Sequence, residues 1–243
     1  FVKYPILNSD KFIVVATVRP EPIFIDTHLA VNPKDKKNKR LIGQTVLNPL
    51  TNKQMLIIAD DYVDPDFGTG IVKLTPAHDP NDFEVAKRNN LPSIQVIDFN
   101  GKLNSNAPQQ FRNLKIDVAR GKIIQELTNQ NLLEPPENHK MVISKCYKCG
   151  RILETLPLPQ WFVKVKPLVE PAIKSIEKGE IKFYPESQKE KALEWLNNFH
   201  DWNISRQIVW GMRIPAWECK KCKKWTITDG EKPEKCTQCG NTN

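Results

Sequence analysis

The densest run of chemically capable side chains in this 243-residue chain is Gly68-Thr69-Gly70-Ile71-Val72-Lys73-Leu74-Thr75-Pro76-Ala77-His78-Asp79-Pro80-Asn81-Asp82. Its β-branched stretch predicts a strand over 70–75, on which strand alternation sets Ile71, Lys73 and Thr75 on one face and Val72, Leu74 and Pro76 on the other. An ammonium and a hydroxyl then share a face. Asp79-Pro80 with an acid soon after predicts a helix running to about Asn90, with Asp79 at the N-cap and Asp82 at the third helical position. Two carboxylates thus stand near exposed backbone donors and the positive end of a helix dipole. Ordinary helix capping produces the same pattern without any ligand. The two readings are compatible, because a capping carboxylate has a low pKa and a fixed rotamer, which suits a group that grips an ammonium. His78 offers a general base, although a lone loop histidine is more often structural. No Gly-x-Ser-x-Gly elbow occurs and no cysteine lies near this block, so hydrolysis here would use a positioned water rather than an acyl-enzyme.

The six cysteines form three Cys-x-x-Cys pairs: Cys146/Cys149, Cys219/Cys222 and Cys236/Cys239. With no secretory signature, such pairing favours zinc over disulfides. The last two pairs, 13 residues apart, have the spacing of a four-thiolate structural zinc knuckle, against the alternative of cysteines that no longer bind metal. Trp225 beside the knuckle reads as packing rather than base stacking. Cys146 and Cys149 have no fourth pair in the chain.

Elements that could position these groups follow from patterning. The segments 11–18, 41–47, 54–59 and 70–75 read as strands, and 117–131 as a helix carrying Val118, Ile123, Ile124 and Leu127. The LEPPEN stretch at 133–138 predicts a boundary, since adjacent prolines cannot continue a helix. Beyond it a short strand is expected at 161–165 and amphipathic helices at 167–178 and 187–199. The expected division is 1–139, 140–200 and 201–243. The net charge of +8 is uneven: residues 1–139 carry net +1 and residues 140–243 net +7. A polyanionic partner is the functional reading of that tail, and a solvated lysine-rich surface the bland one. No apolar run approaches the roughly 18 residues that cross a bilayer. The chain opens on Phe1 with no initiator Met, and we expect a soluble, cytoplasmic, monomeric fragment of a longer protein.

VATVRPE at Val15–Glu21 and the FGTGIVKLTPAHDPNDFEV run at Phe67–Val85 resemble the inserted editing domain of the valine, isoleucine and leucine tRNA synthetases. The DPNDFE ending is closest to the valine type, with the isoleucine type second. The resemblance spans residues 10–140. WFVKVKPL from Trp161 and WNISRQIVWGMRIPAW at Trp202–Trp217 extend it over most of the chain. It implies a mixed α/β (α+β) fold: a β-barrel-like editing domain over 1–139 with flanking helices, connecting strands and helices over 140–200, and part of a Rossmann-type catalytic domain with the zinc knuckle over 201–243.

The implied function is hydrolysis of the ester of mischarged threonyl-tRNA(Val), with the 3′ acceptor end of tRNA as partner and a threonyl-adenosine ester as substrate. Asp79, Lys73 and Thr75 are the candidate catalytic residues; Arg19, Glu21, Asp82 and His78 are candidate substrate-binding residues. By resemblance, Asp79 would hold the amino acid's ammonium, Lys73, Thr75 and Asp82 would recognise the threonine hydroxyl, and Arg19 with Glu21 would steady the terminal adenosine. A hydrophobic valine pocket rejects isosteric threonine by only about 10², a figure that comes from this enzyme family itself and not from this chain. A second site that hydrogen-bonds the hydroxyl inverts the preference, because valine there leaves buried polar groups unpaired at roughly 1–3 kcal/mol each. The family usually has Thr after Arg-Pro-Glu, whereas Pro22 stands here and removes a hydroxyl and a backbone donor. That favours the rival reading, an editing-inactive module that only binds the acceptor end. By resemblance, Cys146/Cys149 would meet a second pair upstream of Phe1, and Trp210 would border the valine pocket of the full enzyme. The chain has no HIGH-like or KMSKS-like sequence, so ATP is expected only in the full-length enzyme and no aminoacylation from this chain.

Overall fold

The structure, a computed structural model, describes residues 1–208 and 210–242. Val209, inside the Trp202–Trp217 block, lies outside the described residues. The chain divides into two compact units, Phe1–Pro157 and Leu158–Asn243.

The first unit holds strands β1 (Val2–Pro5), β2 (Phe12–Val15), β3 (His28–Val31), β4 (Thr45–Leu47), β5 (Gln54–Ala59) and β6 (Ile71–Leu74), then helices α1 (Pro80–Arg88) and α2 (Ile116–Asn129). β1 and β2 form an antiparallel pair, and β4-β5-β3-β6 a mixed four-stranded sheet in which β3 runs parallel to β5. Leu29, Ala30 and Val31 are all buried, as a central strand covered on both faces requires. Leu29 and Val31 enter the main core with Val2, Tyr4, Val15 and Ile71, whereas Ala30 joins Leu74 and Val85 in a smaller cluster beneath α1.

The pair and the sheet curl toward each other. An Ile6–Val46 bridge and the Leu7 N–H to Thr45 carbonyl bond (2.9 Å) tie the end of β1 to β4. On the other side β2 lies beside β6, but no ladder joins them among the described residues. The expected barrel is therefore an incompletely closed ring of six strands with one open seam.

Three local readings shift. The run expected as one strand over 41–47 is broken by Gly43 at φ +85°, leaving a 3-10 turn at Lys39–Leu41 and the short β4. In α2, Ala119, Ile123 and Leu127 make the buried stripe, while Val118 and Ile124 face solvent. The third is the boundary expected at 139/140. Leu132 and Glu134 instead hydrogen-bond the backbone of β1 and Phe1, and Leu156 packs on the main core, so 140–157 lie with the first unit.

The second unit holds β7 (Phe162–Val163), α3 (Lys166–Glu177), α4 (Gln188–Asn197), β8 (Trp202–Asn203), β9 (Ala216–Glu218) and β10 (Trp225–Ile227). β7 pairs antiparallel with β8, β9 with β10, and α3 packs on α4. No parallel strands occur among its described residues, so the expected Rossmann-type layer is not seen. Its buried set is small: Val165, Ile176, Cys219, Thr226 and Cys236. Trp210, expected at a substrate pocket of the full enzyme, is 90% exposed.

Candidate functional site: a cavity at the open seam, and a thiolate cluster

Where β2 and β6 fail to pair, a cavity of about 780 Å³ opens, walled by Ala16–Arg19 after β2, by 62–73 leading into and along β6, by Thr75, His78, Asp79 and Asp82, and by 136–141. The Gly-Thr-Gly entry to β6 is required by close packing. Gly70 has φ +72°, and a Cβ there would stand 2.8 Å from the Pro65 carbonyl oxygen; at Gly68 (φ +59°) it would stand 3.1 Å from Ala16 Cβ across the seam.

Lys73 and Thr75 do share a face, and the structure joins them to Asp82. The Lys73 ammonium donates to Thr75 Oγ1 (3.1 Å), and the Thr75 hydroxyl (3.2 Å) and backbone N–H (2.8 Å) both donate to Asp82 Oδ2. All three are buried. Burial holds the Asp82 carboxyl above the usual carboxylate range, against the pull of the Thr75 N–H and Lys73. Asp79 caps α1 as expected, through Oδ1 alone, which accepts from Asn81 N–H (2.8 Å) and Asp82 N–H (3.1 Å). Among the described residues its Oδ2 accepts no hydrogen bond, so the cap leaves one oxygen of the carboxylate unused.

Three other expected site residues stand differently. Arg19 is engaged within the protein: Nη1 donates to the His78 carbonyl oxygen (3.1 Å), and Nη2 pairs with Glu154. Glu21 is fully buried behind the wall, where Oε1 accepts from Arg120 Nη2 (2.5 Å), and it does not line the cavity. Pro22 does line it, from the start of a 3-10 turn at Ile23–Ile25. The His78 ring is a structural tie. Its Nε2 accepts the backbone N–H groups of Val96 (3.0 Å) and Ile97 (3.3 Å), and burial lowers its pKa to about 4, helped by Arg19 and Lys73. A neutral imidazole whose basic nitrogen is already occupied is a poor general base.

The thiols of Cys219, Cys222, Cys236 and Cys239 all lie within 4.8 Å of one another, with Cys219–Cys239 and Cys222–Cys236 sulfur separations of 3.7 Å. A tetrahedral zinc with Zn–S of about 2.3 Å sets ligand sulfurs about 3.8 Å apart, so the residues fit that metal. Each pair sits on the same tight turn. The residue after the second cysteine (Lys223 or Gly240) has positive φ and donates its N–H to the first cysteine's carbonyl, at 2.9 Å in both. Cys146/Cys149 repeat the turn, with Gly150 at φ +68° and Gly150 N–H to the Cys146 carbonyl at 2.8 Å, but without a second pair beside them among the described residues. We expect elemental analysis of freshly purified protein to find about one zinc per chain, on the four-cysteine cluster; zinc-free protein would remove the assignment.

The family model described as tRNA synthetases class I (I, L, M and V) matches residues 27–241. The chain belongs to the class I tRNA synthetases. Within that family it is 46% identical over 242 residues to the valine–tRNA ligase of Petrotoga mobilis, covering all of this chain and 28% of that protein. It is 44% identical over 243 residues to that of Thermotoga maritima (100% and 28%) and 50% over 217 residues to that of Borreliella burgdorferi (89% and 25%). The chain thus spans about a quarter of the length of these relatives, which are of the valine type, as the DPNDFE ending leads one to expect. A solved structure described as the crystal structure of GlLeuRS-CP1 has a TM-score of 0.46 at 14% identity, covering 58% of this chain and 98% of that one.

Several residues at the cavity were not among the expected site residues. Tyr62, Asp64, Asp66 and Phe67 line it from the loop before β6; Phe67 is 59% exposed and sets its ring edge-on to His139, 5.6 Å between centroids. Asp26 touches Lys73 from 47 positions away and Glu154 touches Arg19 from 135, while Tyr4 bonds Asp26 in turn. Only the sequence DFGTG, an aromatic next to a forced turn, hinted at Phe67.

Proposed function

We propose that the cavity hydrolyses the ester of threonine mischarged onto valine tRNA. The observation that carries this reading is the buried Lys73–Thr75–Asp82 set at the cavity wall beside a helix-capping Asp79 with one unused oxygen. Asp79 takes the ammonium, and Lys73, Thr75 and Asp82 exchange hydrogen bonds with the threonine hydroxyl. Phe67 offers a face on which the terminal adenine stacks, and Arg19 steadies the nucleoside once it turns from Glu154. A water held among these groups adds to the ester carbonyl. The ribose oxygen leaves with a proton, giving free threonine and tRNA.

The cavity wall carries Asp64, Asp66, Asp79, Asp82 and Glu137 against Arg19 and Lys73. An acidic cavity favours an ammonium and disfavours phosphates, so the tRNA backbone would lie on other surfaces, with the basic 140–243 stretch as the candidate. A valyl ester has the ammonium and the nucleoside but no hydroxyl, and leaves the buried set unpaired at roughly 1–3 kcal/mol per group. The deciding experiment incubates the chain with threonyl-tRNA and valyl-tRNA and follows loss of each ester. Faster loss of the threonyl ester is expected; equal, spontaneous loss of both overturns the reading.

A second reading, an acceptor-end binding module without hydrolysis, is favoured by Pro22 and by the Arg19–Glu154 pair. In either case affinity for a tRNA acceptor stem should fall steeply with salt. Lys/Arg changes in 140–243 should flatten that slope more than changes in 1–139; a salt-independent affinity would count against the basic stretch as the phosphate contact.

In the longer enzyme, 1–139 would be the editing domain, 140–200 the return to a Rossmann-type synthetic domain, its first part (140–157) still running along the first unit, and 201–243 a segment of that domain. There ATP would be used, Trp210 would meet the valine pocket, and a further thiol pair would complete a metal site with Cys146 and Cys149. Cytoplasmic location and a monomeric state are part of the same proposal. No helix among the described residues is long and apolar enough to cross a membrane.

A further inference from the structure

Asp26 lies just before β3, outside every motif that points to the cavity, yet its side chain is buried beside one of the cavity's proposed recognition groups. Its Oδ1 accepts from the Lys73 ammonium (3.4 Å), and its Oδ2 accepts from the Tyr4 hydroxyl (2.7 Å) of β1. Lys73 has three N–H donors. One goes to Asp26 and one to Thr75 Oγ1, which leaves one for a ligand. The ammonium has no freedom to look elsewhere, because a short chain of hydrogen bonds from Tyr4 through Asp26, Lys73 and Thr75 to Asp82 spans the interior from β1 to α1. Asp26 itself does not line the cavity.

Resting on the editing reading above, we propose that Asp26 is a positioning residue: it supplies the counter-charge that keeps the Lys73 ammonium aimed at the substrate hydroxyl, and so sets both the rate and the threonine-over-valine preference of deacylation. A buried lysine needs a charge partner to stay charged and fixed. Asp82 alone does not fill that role, because among the described residues the Lys73 ammonium bonds Asp26 and Thr75 and makes no ion pair within 4.0 Å with Asp82.

A pH dependence follows. Burial pushes the Asp26 carboxyl up to about 6, opposed by Lys73 and by the Tyr4 hydroxyl and reinforced by Asp82. Those three face it from β6, β1 and α1. His28 of β3 and Lys53 before β5 share with Asp26 the walls of a separate cavity of about 430 Å³. Above that pKa Asp26 is ionised and Lys73 is held; as pH falls through it, Asp26 takes a proton and the hold is lost.

The test is single-turnover deacylation of threonyl-tRNA and valyl-tRNA by the 243-residue chain across pH 5–8, in wild type, Asp26→Asn and Tyr4→Phe, with a melting curve for each. Wild type should show an acid limb near the Asp26 pKa. Asp26→Asn should lose about tenfold or more of the threonyl rate at pH 7.5 and most of the preference over the valyl ester. Tyr4→Phe removes a bond that lowers the Asp26 pKa, so its acid limb should move to higher pH, and this variant keeps the Asp26–Lys73 pair if Asp26→Asn fails to fold. The elevated Asp82 carboxyl can give an acid limb of its own, but Tyr4 bonds Asp26 and not Asp82, so a limb owned by Asp82 would stay in place. An unmoved limb in Tyr4→Phe, or a folded Asp26→Asn with wild-type rate and preference, overturns the inference alone. A wild-type chain that leaves both esters intact overturns the hydrolase reading, and this inference with it.

Discussion

Asp79→Ala is expected to suppress deacylation of threonyl- and valyl-tRNA alike, by about 10- to 10²-fold, while the chain stays folded. A hydrogen bond to a charged group is worth roughly 1.5–3 kcal/mol and each 1.36 kcal/mol is about tenfold in rate. Losing the ammonium's carboxylate partner also loosens the ester for every attack geometry. Both esters carry the same ammonium, so the loss should not discriminate between them. The cap costs separately: removing the Oδ1 acceptor from Asn81 and Asp82 should lower stability by about 0.5–2 kcal/mol. Asp82→Ala should do the reverse in balance. It strips the acceptor from a buried Thr75 N–H and hydroxyl, at about 1–3 kcal/mol for each group left unpaired. It should slow the threonyl ester more than the valyl ester, and so narrow the preference. Deacylation of both esters alongside melting temperature separates the two carboxylates. If Asp79→Ala keeps wild-type hydrolysis and only its melting point drops, Asp79 is a cap and nothing more.

Removing zinc with a strong chelator is expected to have the largest effect on stability, and to confine it to the second unit. Apart from Cys219 and Cys236 themselves, the described residues of that unit that are buried are Val165, Ile176 and Thr226. It leaves Trp195, Trp202 and Trp210 more than half exposed, so hydrophobic burial there is slight. Structural zinc sites of four thiolates contribute apparent binding free energies of about 10–16 kcal/mol near neutral pH, far more than this small core. Loss of amide protection across 216–241 with protection retained in β3 and β5, read by hydrogen exchange before and after chelation, is the expected outcome. Unchanged protection around β9 and β10 in metal-free protein would show that the turns hold without a metal.

Local chemistry was legible in the sequence wherever the cause is local. The Asp79 cap, the start of α1, the Lys73/Thr75 face of β6 and the extent of β5 each follow from residues within one turn or one strand of each other, where alternation and capping rules decide conformation. So do the three cysteine turns, whose spacing dictates their geometry. The family followed from ordered motifs for the same reason, since each motif is a contiguous stretch.

Tertiary structure alone decided which groups meet across distance. Asp26 reaches Lys73 over 47 positions, Glu154 reaches Arg19 over 135, and Arg120 removes Glu21 from the cavity over 99. A charged residue's partner is set by where the strands are laid, and no local pattern encodes it. α2 already ends at Asn129, with Asn131 at φ +56°, and the prolines at 135–136 keep the following chain extended, but whether that chain then leaves the unit or runs back along it depends on what it packs against. Here β1 and Arg19 supplied that surface. The open seam between β2 and β6 is of the same kind: strand propensity made both strands, and only the assembled ring determined that they would lie side by side unpaired, with the cavity between them.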